Sequence, residues 1–241
     1  MLRAEKRLAR RFDVCTTTTR AEWQTLQDYG TGATTDWFPN GVDATFFAPP
    51  ADGAYEADSI CFVGRMDYYP NQQGVFYFCE QVWPKLRALH PELRFTIVGA
   101  SPPPNVRALA ELPGVSVTGS VPDVRPIVSR AAATVAPLAI ARGTQNKILE
   151  SMALGVPVVC SGIAARGVDV VDGEHLLTAD SAEEYCAQLS RLVSDAAERR
   201  RLSLAGRARV LSHHSWPSSM VRLDGLLDRC VESFRSRRAA S

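Results

Sequence analysis

The sequence predicts an α/β fold: a mostly parallel sheet with flanking helices, preceded by a small βαβ unit. Three observations carry this expectation. From Ser59 onward, short β-branched apolar runs alternate with amphipathic helical patterns, which is the sequence form of successive βαβ units. The runs are near-continuously apolar rather than alternating, as strands covered on both faces require. Of 241 residues, 46% are hydrophobic and 22% charged, enough for the core of one large or two small domains. No stretch approaches the roughly 18 consecutive apolar residues of a membrane helix. With 27 Lys and Arg against 26 Asp and Glu, the net charge of +1 creates no global field for nucleic acid or anionic lipid. Any bound anion must be held by local groups, and no nucleic-acid partner is expected.

Taken in order, residues 1–48 stand apart. FDVCTTTT, a polar helix containing Trp23 and Leu26, and TDWFPNGVD make one βαβ unit that ends in a turn. The leading MLRAEKRLARRFDV has no apolar stretch or cleavage site of a secretory signal. Residues 49–58, rich in Pro, Gly, Ala and Asp, form a linker. Strands follow at ICFVG (60–64), FTIVG (95–99), VSVTG (115–119), ATVAPL (133–138) and VPVVCSG (156–162). A helix with Val75, Phe78, Val82, Leu86 and Leu89 on its apolar side ends before Pro91. Another begins near Thr144 and stops at Gly155, its C-cap. A third spans Ser181 to Leu192, with Ser181 as N-cap and Glu184 as the reciprocal capping-box residue. An Arg-rich amphipathic stretch covers 196–211, within a domain running from 59 to 212. The final helix, 213–234, repeats Met220, Leu223, Leu226, Leu227, Val231 and Phe234, and 235–241 are expected to be a disordered tail. The six scattered cysteines are expected to be reduced core residues, the four histidines surface residues, and Trp83 and Trp216 core anchors.

The most informative segment is Arg142-Gly143-Thr144-Gln145-Asn146-Lys147-Ile148-Leu149-Glu150, between a buried strand and a helix N-terminus. Gly143 lets a ligand approach the main chain, and the helix dipole with the amides near Thr144 favours an anion, especially phosphate. Lys147 in the first turn opposes that dipole unless a bound anion compensates it. Glu150, three residues on, shares its face. This spacing suits a diphosphate on Lys147 and a ribose on Glu150. The same residues could equally form an i,i+3 surface ion pair beside a turn. Gly64-Arg65, directly after ICFV, sits at the carboxyl end of a strand, where open parallel sheets bind ligands, and Arg65 could clamp phosphate bidentately; the alternative is a loop arginine in a surface ion pair. Ser120-Val121-Pro122-Asp123 is a further loop on the same edge. G-x-G-x-x-G, G-x-x-x-x-G-K-[ST], H-E-x-x-H and D-x-D are absent from the sequence, which argues against a dinucleotide dehydrogenase, a P-loop NTPase, a zinc hydrolase and a metal-clamped transferase.

FPNGVD (38–43), ICFVGRMDYYPN (60–71), FTIVG (95–99), VTGSVPDV (117–124) and RGTQNKILESMALGVPVVCS (142–161) together resemble the retaining GT-B glycosyltransferases of the group 1 type, family 4. ARGTQNKILE and the closing SW...RLDGLL resemble the subgroup associated with exopolysaccharide assembly in PEP-CTERM/exosortase bacteria. The resemblance implies a Rossmann-like donor domain, with 1–48 as a remnant of the N-terminal acceptor domain and the final helix crossing back to it. It implies that Arg65 and Lys147 hold the diphosphate, Glu150 the ribose, Gly143 and Thr144 the phosphate through their backbone, and Val121 the base, with Gly64 and Arg142 also at the donor. Two departures matter: Arg142 stands where the family has a Glu that contacts the donor hexose, and Asp67 to Asn71 replace a second phosphate-binding Lys.

The expected function is therefore metal-independent hexosyl transfer, with retention, from a UDP-, GDP- or ADP-sugar to a glycan or lipid-linked acceptor, with no cofactor. A preceding N-terminal domain or a second copy would complete the cleft. The expected location is cytoplasmic; Arg199 to Arg209 could add a peripheral contact with the inner membrane, but a solvated helix face is the favoured reading of that stretch. Two alternatives stand beside it: a truncated, non-catalytic nucleotide-sugar binding domain, and a GT-B-like sugar-nucleotide epimerase.

Overall fold

Two parallel sheets carry the chain in the computed structural model, which describes residues 2–30 and 32–239. After helix α1 (Leu2–Ala9), strand β1 (Val14–Thr17), helix α2 (Arg20–Asp28) and strand β2 (Thr34–Trp37) form a right-sized βαβ unit with β1 and β2 paired in parallel. Thr19 caps α2, its hydroxyl accepting the Glu22 amide at 3.2 Å.

The second sheet has six parallel strands, β3 (Glu56–Val63), β4 (Arg94–Val98), β5 (Val115–Gly119), β6 (Ala131–Ala136), β7 (Val158–Cys160) and β8 (Leu177–Thr178), in the order β5-β4-β3-β6-β7-β8. Helices cover it: α3 (Tyr69–Tyr77), α4 (Trp83–Leu89), α5 (Pro104–Arg107), α6 (Arg125–Val128), α7 (Asn146–Ala153), α8 (Gly162–Ala165), α9 (Ala182–Ser194) and α10 (Ala196–His213). The α/β fold with a parallel sheet is as the apolar runs require, and all six residues of β6 are buried. The core runs from Ile60 and Phe62 through Phe78, Phe95 and Ile97 to Met152 and Tyr185. Phe78 anchors it, its ring 4.6 Å from that of Phe95.

Several boundaries differ from the sequence expectation. β3 begins at Glu56, inside the stretch expected to be linker, because its start pairs with β6: Glu56 is in register with Ala131 and its amide donates to the Arg130 carbonyl at 2.7 Å. The helix after β3 is not continuous: Phe78–Val82 is a π-helical turn between α3 and α4. Pro84 cannot donate a backbone hydrogen bond and its ring crowds the preceding turn, which the wider turn relieves. β8, only two residues long, was too short to leave a pattern. Gly155 does end α7, and Ser181 and Glu184 make the full capping box on α9.

The last helix, α11 (Trp216–Ala239), continues past 234 through most of the expected tail; residues 240–241 lie outside the described residues. Of its apolar stripe, Leu226 is buried, while Leu227 and Phe234 are more than half exposed. It meets the N-terminal unit through Asp36, which pairs with Arg222 (2.9 Å) and Arg229 (3.1 Å). FPNGVD forms the joint: the Val42 amide donates to His214 O at 2.8 Å, and a Cβ on Gly41 would lie 2.4 Å from Trp216 N, so only glycine admits this approach. Trp216 itself is 45% exposed, held by its backbone rather than anchored in the core. His214 is buried rather than on the surface, because the joint closes over it. Four cysteines are buried, but Cys15 and Cys230 are half exposed.

Candidate functional site

The six-stranded order makes the chain wind outward in one direction from β3 to β5 and in the other from β6 to β8, so the topological switch lies between β3 and β6. Ligands of open α/β sheets bind outside the carboxyl ends of the strands at such a point. Gly64-Arg65 follows β3 and Arg142 to Gln145 follow β6. The fold therefore brings the two strongest sequence candidates to the same crevice.

Lys147, in the first turn of α7, is the centre of this arrangement. Its Nζ donates to Asn71 Oδ1 at 2.5 Å and lies 4.6 Å from the centre of the Phe62 ring. Asn71, in α3, donates through Nδ2 to the Arg65 carbonyl at 2.8 Å, tying the two phosphate candidates together. Gly64 leaves the room: a Cβ there would stand 2.7 Å from Asn71 Nδ2 and 3.1 Å from Lys147 Nζ. Burial pushes the Lys147 ammonium down to about 8, with Glu150 partly opposing the shift. Burial also raises the Glu150 carboxyl, with Lys147 opposing. The surface ion pair between them does not form. Lys147 turns to Asn71 instead, and the Glu150 carboxylate has no hydrogen-bond partner among the described residues.

Arg65 sits differently. Its guanidinium is exposed and already engaged by Asp67, Nε to Oδ1 at 3.1 Å and Nη2 to Oδ2 at 2.5 Å. A phosphate would have to displace that carboxylate. Val121 is half buried against the cluster of Cys61, Val98 and Val128. Gly143 takes φ 65°, which an L side chain rarely adopts, with open space where a Cβ would point. Gln145 is the N-cap of α7 but makes no side-chain cap; its Nε2 donates to the carbonyls of Arg142 (3.2 Å) and Gly143 (3.3 Å). Thr144 Oγ1 reaches across to Thr18 at 3.4 Å, joining this loop to the N-terminal unit. The Arg142 side chain is exposed.

Sequence reasoning passed over Asn71, although it closes the ICFVGRMDYYPN motif, and over Thr18 in the threonine run. It also offered the arginines of α10 as a surface contact. Four of the five between 199 and 209 are held internally: Arg199 by the Leu192 and Val193 carbonyls, Arg201 by Glu198, Arg207 by the Ala153 carbonyl and Arg209 by Asp169. Arg207 thereby places a cation at the C-terminus of α7, complementing its dipole. No helix of the described residues is long and apolar enough to cross a membrane.

Comparison with solved structures finds the same fold. Sucrose-phosphate synthase from Thermosynechococcus elongatus superposes with a TM-score of 0.77 at 23% identity, over 100% of this chain and 62% of that one. Anabaena HepE, in complex with UDP and glucose, superposes at 0.75 with 14% identity, over 94% of this chain and 66% of that one. The C-terminal domain of LpcC from Francisella tularensis, a glycosyl transferase group 1 family protein, gives 0.59 at 18% identity, over 73% of this chain and 100% of that domain. The chain thus spans less than two thirds of the length of the first two. A comparison with curated protein sequences found no match. The profile of the glycosyl transferases group 1 matches residues 57–195, which hold β3 through α9 and with them Gly64, Arg65, Asn71, Val121, Lys147 and Glu150; the chain belongs to that family.

Proposed function

We propose that this chain carries the donor site of a retaining hexosyltransferase of family 4, acting on a nucleotide diphosphate sugar in exopolysaccharide assembly. The observation that supports it most is Lys147: a desolvated ammonium in the first turn of α7, held by Asn71 beside the sheet's switch point. A cation so placed is stabilised when a diphosphate arrives, and more so as the sugar–phosphate bond breaks and charge grows on the leaving group. Lys147, the α7 N-terminus and Arg65, once released from Asp67, would carry that charge without a metal or cofactor. Glu150, with its carboxylate unpartnered, would accept ribose hydroxyls, Gly143 and Thr144 would present backbone to the donor with Gly64 and Arg142 beside it, and Val121 would meet the base. HepE was solved with UDP and glucose, which favours UDP over GDP or ADP as the first donor to test.

In this reading the donor domain runs from β3 to the end of α10, residues 1–48 belong to the acceptor side, and α11 is the crossing helix. A glycan or lipid-linked acceptor would be served at the cytoplasmic face of the inner membrane. The Lys147–Glu150 corner encloses a cavity of only about 10 Å³, so the rest of the donor pocket would come from surfaces beyond this chain, an N-terminal domain or a second copy.

Thermal shifts with UDP, GDP, ADP and their sugar conjugates test the site. A ligand at about 100 times its Kd adds ~2.7 kcal/mol. One nucleotide should stabilise the chain selectively, and both Lys147→Ala and Glu150→Ala should abolish that gain while leaving the ligand-free melt nearly unchanged. Equal loss of stability and binding would remove Lys147 from the proposed role. Incubation with donor alone separates transfer from epimerisation: an epimerised sugar nucleotide would overturn the transferase reading.

A further inference from the structure

The loop that leaves β3 is held from two sides. Toward β4, the Gly64 amide donates to Val98 O at 3.0 Å and the Met66 amide to Ala100 O at 2.8 Å. Toward α3, Asn71 Nδ2 donates to the Arg65 carbonyl at 2.8 Å and Gln72 Nε2 to the Met66 carbonyl at 2.7 Å. Asn71 is 5% exposed, and its other end crosses to α7, where its Oδ1 accepts from Lys147 Nζ at 2.5 Å. The partners fix the direction of this amide. A carbonyl only accepts and an ammonium only donates, so the NH2 end must face Arg65 and the oxygen must face Lys147. Aspartate would lack the donor for Arg65, and leucine would lack both groups.

A neutral amide also suits an ammonium that must remain available. It does not cancel the charge, and it takes one of three N–H donors, leaving two for a ligand. The charged groups around Lys147 do not replace it. Arg65 and Asp67 of the β3 loop pair with each other, and Glu150 of α7 opposes the effect of burial without a hydrogen bond to the ammonium; β3 and α3 present the Phe62 ring and Asn71. We propose that Asn71 is the positioning residue of this site: it aims the Lys147 ammonium at the crevice between β3 and β6, favours its charged form, and ties the Arg65 backbone to the same point. That the aimed charge serves a diphosphate rests on the donor reading above; the tie between Asn71 and Lys147 does not.

The chain has three lysines, Lys6, Lys85 and Lys147, so the ε-carbon signals of isotope-labelled lysine can be followed singly by NMR, and Lys147→Arg assigns the one that matters. Its midpoint in the parent should lie at about pH 8, and the Asn71 side-chain amide signals should titrate with it. Asn71→Leu removes an acceptor from the charged form and should lower the proton affinity about tenfold, to a midpoint of about pH 7. Asn71→Asp should raise the midpoint, because a carboxylate favours the cation. A side chain that only supported the loop would not move it in opposite directions. Both variants should weaken UDP binding at neutral pH by about tenfold, leucine by releasing the ammonium and aspartate by neutralising it and repelling the diphosphate. An unmoved Lys147 midpoint in the variants would overturn the proposal, as would UDP affinity equal to the parent's in both. Asn71 amide signals that stay flat through the Lys147 titration of the parent would overturn it without any variant. A parent chain that binds no UDP would count against the donor reading, while the midpoints would still decide the tie.

Discussion

Strands β1 and β3 each pair in parallel with the next strand across a helix, yet their surroundings are opposite. Ile60, Cys61 and Phe62 of β3 are fully buried, whereas β1 and α2 contain no buried residue among those described in them. The six-stranded domain has a core of its own; the N-terminal unit borrows its order. It is held by the Gly41–Trp216 approach, the Val42–His214 hydrogen bond, the Thr18–Thr144 contact and the Asp36 ion pairs. The difference teaches where stability and where ligand-binding surface are made. Lys147, Asn71 and Glu150, where the donor is proposed to bind, stand on the unit that has a buried core of its own, whereas β1 and α2 are held from outside.

The largest expected effect breaks the domain that has the core. Phe78→Ala empties a fully buried site against Phe95 and Tyr185, and such truncations cost about 3–5 kcal/mol. Urea unfolding followed by far-UV dichroism should show a midpoint far below that of the parent and a single transition, since the N-terminal unit cannot persist without its support. A second transition carrying β1 and β2 would show that the unit is independent.

Gly41→Ala breaks the joint instead. The new Cβ would clash with Trp216 backbone, and overpacking of this kind costs about 1–3 kcal/mol. The effect should be local. Hydrogen exchange should rise in β1, β2 and α11 while β3, β4 and β6 keep their protection. Uniform loss of protection would mean that the two regions are one cooperative unit.

These two substitutions also mark what the sequence made legible. The parallel sheet could be read because its strands are buried on both faces, and that burial writes itself as continuous apolar runs from ICFV to VPVV. The crevice loops could be read because a glycine before a helix N-terminus has a physical meaning by itself. What stayed hidden is relational. Asn71 meets Lys147 only once α3 lies against α7, and His214 is buried only once the FPNGVD turn closes on it. The π-helical turn was visible in principle, in Pro84, but the apolar spacing around it continues through the proline and masks the interruption.

The titration of Lys147 sharpens the comparison on the side of the core-bearing domain. Its ammonium loses its proton near pH 8 in the folded chain, while an unfolded lysine keeps it to about 10.4. The unfolded state therefore binds more protons in between, and the stability of the ligand-free chain should rise with pH across that window. If UDP binds at Lys147 as proposed, it needs the charge, so affinity should be full below about pH 8 and fall above it. Lys147→Gln should flatten both curves, and Lys147→Arg should carry binding to higher pH. Parallel slopes for stability and affinity would assign the pH dependence to another group.

The smallest expected effect tests the tether between α11 and β2. Asp36 is pushed up by burial, but the Trp37 amide at 2.7 Å and the Arg222 guanidinium more than offset this and hold it below the usual carboxylate range. A depressed carboxylate stabilises the fold above its unfolded pKa of about 3.9 and loses that contribution as pH falls below it. Asp36→Asn removes both ion pairs at any pH. Partly exposed pairs are worth about 0–1 kcal/mol, so the melting temperature should drop by no more than about 2–4 °C and the acid sensitivity should shrink with it. Arg222 also lies 4.6 Å from the centre of the Trp37 ring, a contact that Asp36→Asn spares and Arg222→Ala removes. If Arg222→Ala costs clearly more than Asp36→Asn, the tether is chiefly aromatic and should hold in high salt. If the two cost the same, it is chiefly ionic, and raising the ionic strength should loosen α11 from β2 while the six-stranded sheet is untouched.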